Sequence, residues 1–240
     1  MSTHLPAASA SVKRQISIII PTLDEAGTIS AILRTLASAR RRGTEIIVVD
    51  GGSTDDTPAM ARPLADRVLH ASRVRASQLN ADAAVASGDL LLFLHADSQP
   101  PEEADTAVLE AIGDRRHAWG RFDVSIASKR PTLRLVARMM NLRSRATGIA
   151  TGDQGIFATR TLFEQVGRFP QQPLMEDIAF CQRARRISPP VNLRQRIVTS
   201  ARRWERHGVV RTILLMWRLR LAYYLGADPR RLSTRYDQAR

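Results

Sequence analysis

The residues of this 240-residue chain best suited to chemistry are acidic, and they recur just after short apolar runs. Asp50-Gly51-Gly52 follows one such run. A carboxylate there can bond a ribose hydroxyl or a base N–H, and the glycines let the backbone approach a ligand. The same stretch also suits a plain turn, because Ser53-Thr54-Asp55-Asp56 supplies helix caps in abundance. His95-Ala96-Asp97 follows another run. Side chains spaced i, i+2 at a strand end point the same way and can share one cation. A hard divalent ion, Mg2+ or Mn2+, takes carboxylate oxygens and completes its shell with a substrate diphosphate. Asp97 suits that role, and His95 can add a nitrogen ligand or a hydrogen bond; the plainer alternative is a buried His–Asp pair. Glu176-Asp177 opens a helical pattern after Pro173-Leu174-Met175, where the helix dipole favours acids in any case. What distinguishes the pair is the loop Gly148–Gly155, whose Gly152-Asp153-Gln154-Gly155 suits close contact with a polar ligand. Arg202-Arg203-Trp204 offers guanidinium forks for phosphate and an aromatic face for a sugar or base.

The elements that must position these groups alternate. Gln15–Ile20 reads as a β-branched strand stopped by Pro21, and Glu45–Val49, Arg67–His70 and Leu90–Leu94 read as further strands. Between them, Thr28–Arg41 carries apolar residues at Ile29, Ile32, Leu33, Leu36 and Ala37, the stripe of a helix packed on a sheet. Thr54 is placed to cap a short helix through Ala65, and Arg75–Ser87 is an Ala-rich helix with Gly88 as a left-handed stop. Apolar strands separated by single helices predict a parallel sheet covered on both faces, with ligands bound beyond the carboxyl ends of the strands. Three acidic clusters at that edge, after Pro21, Val49 and Leu94, would repel one another unless a cation or hydrogen-bond donor lies between them. Downstream, Pro101–Ile112, Leu133–Leu142 and Met175–Ile187 read as helices. Trp119–Ile126 reads as a half-exposed strand, and Gly155–Thr159 and Val191–Ser200 as further strands.

Composition bounds the rest. With 44% hydrophobic and 25% charged residues the chain is an ordinary globular one, large enough to hold together without disulfide or structural metal. The single cysteine, Cys181, fits a reducing compartment. The net charge is +13, and 34 of the 36 basic side chains are arginine. Such a field attracts nucleic acid, anionic lipid or phosphorylated substrates without choosing among them. The N-terminal stretch ends in Lys13-Arg14, the reverse of a secretory leader, and none is expected. Val209–Leu225 contains Arg211, Arg218 and Arg220, unlike a spanning helix of roughly 20 apolar residues. It is expected to pack on the domain with its arginines snorkelling, and docking on an anionic membrane surface is the alternative.

In order along the chain these strings resemble the family 2 glycosyltransferases, which have the GT-A nucleotide-diphospho-sugar transferase fold. The likeness runs from about Gln15 to Trp204. Ile18-Ile19-Ile20-Pro21-Thr22-Leu23-Asp24-Glu25 resembles the opening strand and donor loop, and Val48-Val49-Asp50-Gly51-Gly52-Ser53 the second-strand motif whose first Asp contacts the nucleotide. Arg75 and Asn80 lie in a region that often contacts the donor. Leu94-His95-Ala96-Asp97 stands where the family has its metal-binding Asp-x-Asp, with His95 replacing the usual first acid. Glu176-Asp177 matches the acidic pair holding the catalytic base, Asp177, and Arg202-Arg203-Trp204 is similar to the later Arg/Trp motif. The strings Leu-His-Ala-Asp, Gly-Asp-Gln-Gly and Met-Glu-Asp together look most like a bacterial subgroup linked with arsenosugar biosynthesis.

The resemblance implies an α/β fold with a mostly parallel central sheet and helices on both faces. It implies a tail over 1–14, a transferase domain over 15–205 (nucleotide-binding half 15–98, acceptor half 99–205) and a basic, apolar helix and tail over 206–240. The implied enzyme is cytoplasmic, with room for peripheral contact at the inner membrane face and for a homodimer. It moves a sugar from a nucleotide-diphospho-sugar to an acceptor hydroxyl with inversion. A divalent ion, Mg2+ or Mn2+, sits on Asp97 with His95, and the donor on Pro21, Thr22, Leu23, Glu25, Asp50, Gly51, Arg75, Asn80, Ala96 and Asp97. Gly152, Asp153 and Gln154 meet the acceptor; Arg202, Arg203 and Trp204 meet the diphosphate. Two other classes compete: a basic nucleic-acid-binding module, which 5% aromatics, no recognisable binding motif and acidic sheet-edge loops reduce to nonspecific charge, and a nucleotide-binding scaffold without turnover. A nicotinamide dehydrogenase would need G-x-G-x-x-G after the first strand, where Pro21–Gly27 has one glycine and two acids.

Overall fold

A computed structural model of the chain describes residues 14–238; the tail expected over 1–14 lies, up to residue 13, outside them. The centre is a single eight-stranded sheet in the order β3-β2-β1-β4-β7-β6-β8-β5. Strand β1 (Ile16–Thr22) is fully buried and lies between β2 (Glu45–Asp50) and β4 (Leu90–Phe93), parallel to both. Edge strand β3 (Arg67–His70) pairs parallel with β2. The middles of β1, β2 and β4 are almost wholly apolar and buried because helices cover both of their faces, so no solvent side demands alternation, whereas edge strand β3 keeps Arg67 and His70 exposed.

Beyond β4 the sheet changes character. Strand β7 (Ile156–Thr159) runs antiparallel to β4, and β6 (Trp119–Ile126) antiparallel to β7. Then β8 (Val191–Thr199) is parallel to β6, with a bulge at Phe122/Asp123, and short β5 (Ser98–Gln99) is antiparallel to β8. The sheet is therefore mixed, parallel from β3 to β4 and largely antiparallel beyond it. Strand β6 is also more buried than its sequence implies, because Arg121 and Phe122 are both enclosed and Arg121 pairs with Asp123.

Around the sheet lie α1 (Ala26–Thr35) and α2 (Ala37–Arg41), α3 (Thr57–Ala61), α4 (Arg75–Val85), α5 (Ala104–Ile112) and α6 (Pro131–Thr147). The C-terminal half adds α7 (Arg160–Gln165), α8 (Glu176–Ala184), α9 (Arg202–His207), α10 (Val209–Tyr224) and α11 (Pro229–Gln238). One face of the sheet is packed by a cluster including Ile29, Ile32 and Leu33 of α1 with Val108 and Ile112 of α5. The opposite cluster holds Leu79 and Ala83 of α4, Phe163 of α7, Phe180 of α8, Leu219 of α10 and Leu232 of α11. Phe93, Phe163, Phe169 and Phe180 meet there at centroid separations of 4.8–5.8 Å, within the range of favourable ring contacts.

Several local expectations are corrected. Pro21 does not end β1; it pairs with Val49. Pairing with β4 stops at Ile19, so on that side no ladder bond is asked of the nitrogen of Pro21. The expected helix Thr28–Arg41 is two segments joined at Leu36, across which the Arg40 N–H still bonds the Leu36 carbonyl at 2.9 Å. Thr54 does not cap a helix; its N–H and hydroxyl both donate to Asp24. Gly88 is not a left-handed stop. It is glycine because a Cβ would come within 2.7 Å of the Ser17 nitrogen, so α4 can pass close to β1. Strand β5 and helices α7, α9 and α11 are elements that the sequence reading does not contain.

Candidate active site

Because β1, β2 and β4 are parallel, their carboxyl ends share one rim, and the three acidic clusters lie along it. The loops after β1 and β2 are joined by backbone-to-side-chain bonds. Asp24 N–H donates to Ser53 Oγ at 2.9 Å, Glu25 N–H to Thr57 Oγ1 at 2.8 Å, and Ala26 N–H to Asp55 Oδ2 at 3.1 Å. In return Asp24 accepts from Thr54, with Asp24 itself at a positive φ of 53°. Such a left-handed conformation is costly for a side-chain-bearing residue and persists here because both ends of the loop are tied.

Asp50 is buried at the end of β2. Its carboxylate accepts the N–H groups of Gly52 and Ser53 at 3.0 Å each, and His70 Nδ1 stands 3.2 Å away. The carboxylate thus organises its own turn. Gly51 donates to the Thr22 carbonyl at 2.9 Å, and a Cβ there would overlap Gln78. Pro21 and Thr22 are buried in the strand, and Leu23 is half-buried in the bend that follows.

Residues 95–98 turn instead of continuing β4, since Ser98 N–H bonds back to the His95 carbonyl at 3.1 Å. The i, i+2 argument therefore fails, and His95 and Asp97 part company. His95 Nδ1 lies 3.2 Å from Asp153 Oδ1, and its Nε2 abuts Gly152, where a Cβ would overlap it. Asp97, 30% exposed at its side chain, meets Arg202 Nη2 at 3.8 Å, and the same nitrogen donates to Glu25 Oε2 at 3.1 Å. Arg202 is thus the cation that the crowding of the acids called for. Ala96 is buried between them in sequence.

The loop before β7 contains a single 3-10 turn, Gly152–Gln154, and it is tied to α8. Gly152 N–H donates to Asp177 Oδ2 at 3.0 Å, and the other oxygen of Asp177 accepts from Ile178 N–H at 2.7 Å. The preceding residue, Met175, starts α8 from a left-handed φ of 66°. Glu176 is buried; desolvation first, then the charge of Asp177, push its carboxyl up to about 7, against the pull of Arg75. Asp153 goes the other way. Burial opposes its charge, but the hydrogen bond and charge of His95, with Arg75 and Arg203 beyond, bring it down to about 2. Arg75 is thereby an electrostatic neighbour of both Asp153 and Glu176.

Some expected site residues are given to the framework instead. Both amide atoms of Asn80 bond the backbone of Phe169, at 2.7 and 3.1 Å. Gln154 is fully buried, accepting from Thr151 N–H and reaching Asn141. Trp204 packs against the small cluster of Ile126, Leu133 and Ala137, and Arg203 lies 4.8 Å over the ring of Tyr236. Sequence reading missed Gln78, whose amide packs where a side chain on Gly51 would lie, and Arg143 and Arg220, electrostatic neighbours on α6 and α10. Among so many arginines, no local signal marks these two.

Among the described residues no group of three or more His, Cys, Asp or Glu side chains is gathered to hold a metal. His95, taken up by Asp153 and Gly152, does not share a ligand set with Asp97. Asp97 alone, accessible and held by one long ion pair and a 3.5 Å hydrogen bond from the Ser98 hydroxyl, is a fitting protein ligand for a hard cation whose remaining ligands are diphosphate oxygens.

A mixed sheet with this acidic rim defines the GT-A class of fold, and solved structures agree. A mannosyltransferase from Pyrobaculum calidifontis, in complex with GDP-Man and Mn2+, superposes with a TM-score of 0.59 at 24% identity, covering 88% of this chain and 62% of that one. TarS 1-349 of S. aureus, in complex with UDP-GlcNAc, gives 0.62 at 18% identity over 78% and 58%. Residues 17–165 match the profile of Glycosyl transferase family 2, and the chain belongs to that family. Among curated relatives, the undecaprenyl-phosphate 4-deoxy-4-formamido-L-arabinose transferase of Serratia proteamaculans is 29% identical over 164 residues, 59% of this chain and 47% of that protein. Its counterpart in Pseudomonas paraeruginosa is 32% identical over 164 residues, 58% and 44%. The chain spans about half the length of these relatives.

Proposed function

We propose that the protein transfers a sugar from a nucleotide-diphospho-sugar to an acceptor hydroxyl, with inversion at the anomeric carbon. The observation that carries this reading is the bond from Gly152 to Asp177, which holds a carboxylate beside the loop that also meets His95 at the end of β4. In the transfer, Asp177 takes the proton of the acceptor hydroxyl as its oxygen bonds the anomeric carbon. The bond from that carbon to the diphosphate oxygen breaks, and its electron pair leaves with the nucleoside diphosphate. Arg202, freed from Glu25 and Asp97, and Arg203 stabilise the charge that accumulates there. A divalent cation held by Asp97 and the donor would supply further charge neutralisation of the leaving group.

The bound GDP-Man, UDP-GlcNAc and Mn2+ of the structural neighbours support a nucleotide-sugar donor and Mg2+ or Mn2+ as cofactor. The names of the curated relatives favour an acceptor carried on a lipid phosphate. Among the described residues no helix is long and apolar enough to cross a membrane. Helix α10 exposes Val210, Leu214, Trp217 and Leu221, which supports peripheral contact with a membrane. The finer likeness to the arsenosugar-linked subgroup rests on its three short strings alone and is not carried by the named relatives. A hydrolysis screen across nucleotide sugars, with and without Mn2+ or Mg2+, tests the reading. Metal-stimulated release of nucleoside diphosphate from at least one donor is expected; no release and no nucleotide binding under any condition would overturn it.

A further inference from the structure

Gln78 of α4 is a buried amide with nothing to bond. Only 4% of it is exposed, and among the described residues its side chain makes no hydrogen bond. Nor is it sealed in, as the carboxylate of Asp82 is four residues on. Its Nε2 packs where a Cβ on Gly51 would stand, so the amide lies at the step that ends β2. His70 meets the same step from the neighbouring strand. Asp50 and His70 are register partners, and His70 Nδ1 stands 3.2 Å from Asp50 Oδ2. The buried carboxylate draws the ring proton to Nδ1. Nε2, on a side chain that is 65% exposed, is left as an acceptor without a partner among the described residues. Asp50 itself has little to offer a ligand. It is 1% exposed, and its Oδ2 already faces the N–H groups of Gly52 and Ser53 as well as His70. Gly52, at a φ of 89° with open space where a Cβ would be, leaves the approach to this corner clear.

Position says what the corner meets. The strands run β3-β2-β1-β4, so the end of β2 lies two strands from the end of β4, about 10 Å at the usual spacing. A nucleotide whose diphosphate sits at Asp97 and Arg202 can lay its far end over β2 and β3. A buried amide without a partner is unfavourable until a ligand satisfies it. The amide carries a donor and an acceptor side by side, which a nucleobase edge matches and a phosphate does not. The nearby carboxylate of Asp50 disfavours an anion further. We infer that Gln78 and His70, and not Asp50, read the base of the donor nucleotide. This rests on the transferase reading above, and it adds the residues that choose among bases.

The test uses the full chain with Mg2+ and titrates UDP, GDP, ADP and CDP by calorimetry, with pyrophosphate and ribose 5-phosphate as probes that lack a base. The wild type is compared with Gln78→Met, Gln78→Glu, His70→Ala and, as a control, exposed Arg62→Ala. The wild type should prefer its best nucleotide over its worst by at least tenfold, since a mismatched base edge leaves the buried amide unpaired. Gln78→Met should weaken the best nucleotide at least tenfold and bring all four within threefold of one another. Gln78→Glu keeps an acceptor but loses the donor, so it should change the order of preference. His70→Ala should weaken the best nucleotide threefold or more. Both base-free probes should stay within twofold in every variant, and Arg62→Ala should match the wild type. Because His70 is exposed, His70→Ala decides the matter should Gln78→Met fail to fold. Four nucleotides bound equally by the wild type, the best nucleotide unweakened in Gln78→Met and His70→Ala, or a base-free probe weakened as much as the nucleotide would each overturn the assignment. Release of nucleoside diphosphate from nucleotide sugars by a wild type without base preference would sink the base readers alone and leave the transferase reading standing. Discrimination through these two residues with no release from any nucleotide sugar would leave the readers standing in a scaffold without turnover.

Discussion

Gly152 and Asp177, 25 residues apart in the chain, are joined by a backbone-to-carboxylate hydrogen bond of 3.0 Å. That bond fixes the first turn of α8 against the loop before β7. Because the neighbouring Asp153 meets His95, it also links the acid pair to the end of β4. Asp177 and the segment after β4 are thus held by one short relay of contacts.

The relay depends on the absence of a side chain at residue 152. In Gly152→Ala the new Cβ would overlap His95 Nε2, so either His95 or the turn must move. Overpacking of this kind costs about 1–3 kcal/mol, and displacement of the site by about 1 Å lowers turnover by up to ~100-fold. Thermal melts alongside the donor-hydrolysis assay check both; an unchanged turnover would show that the relay does not position the base.

The raised carboxyl of Glu176 makes stability depend on pH. Its folded value, about 7, lies above the ordinary 4.5, so the folded state keeps a proton that the unfolded chain releases. The stabilisation is fully present below about pH 4.5 and is lost as pH rises through about 7. Glu176→Gln should remove one proton's share of that slope, roughly 1.4 kcal/mol per pH unit between the two values. Asp82, fully buried without a hydrogen-bond partner and pushed up to about 8 by desolvation, supplies a second share of the same sign that the variant leaves in place. Urea titrations from pH 4 to 9 separate the two.

Arg202 bridges Glu25 and Asp97 with 60% of its side chain exposed. Exposed ion pairs contribute little to stability, whereas a charge-assisted bond to a diphosphate is substantial. Arg202→Ala should therefore leave the melting temperature almost unchanged and weaken nucleoside diphosphate binding by about tenfold or more. Calorimetry with UDP and GDP checks this, and equal affinity in the variant would remove Arg202 from the diphosphate site.

What the sequence made legible were features with a local cause. Strands β1, β2 and β4 are continuous apolar runs, each followed by acids, and their parallel order puts those acids on one rim. What it hid were features decided by distant partners. Residues 95–98 read as the extension of a strand, but the turn sends His95 to Asp153 and Asp97 to Arg202. Asn80 and Gln154 have the chemistry of ligand contacts, and only Phe169, Thr151 and Asn141 show them to be framework. The switch from parallel to antiparallel pairing at β7 leaves no trace in residue types, since β4 and β7 are buried on both faces alike.

The account stands most directly on the role of Asp177. With the donor that the hydrolysis screen identifies, Asp177→Asn should lower turnover by about 100–10,000-fold while nucleoside diphosphate affinity, measured by calorimetry, stays within twofold. Full transfer activity in Asp177→Asn would contradict it.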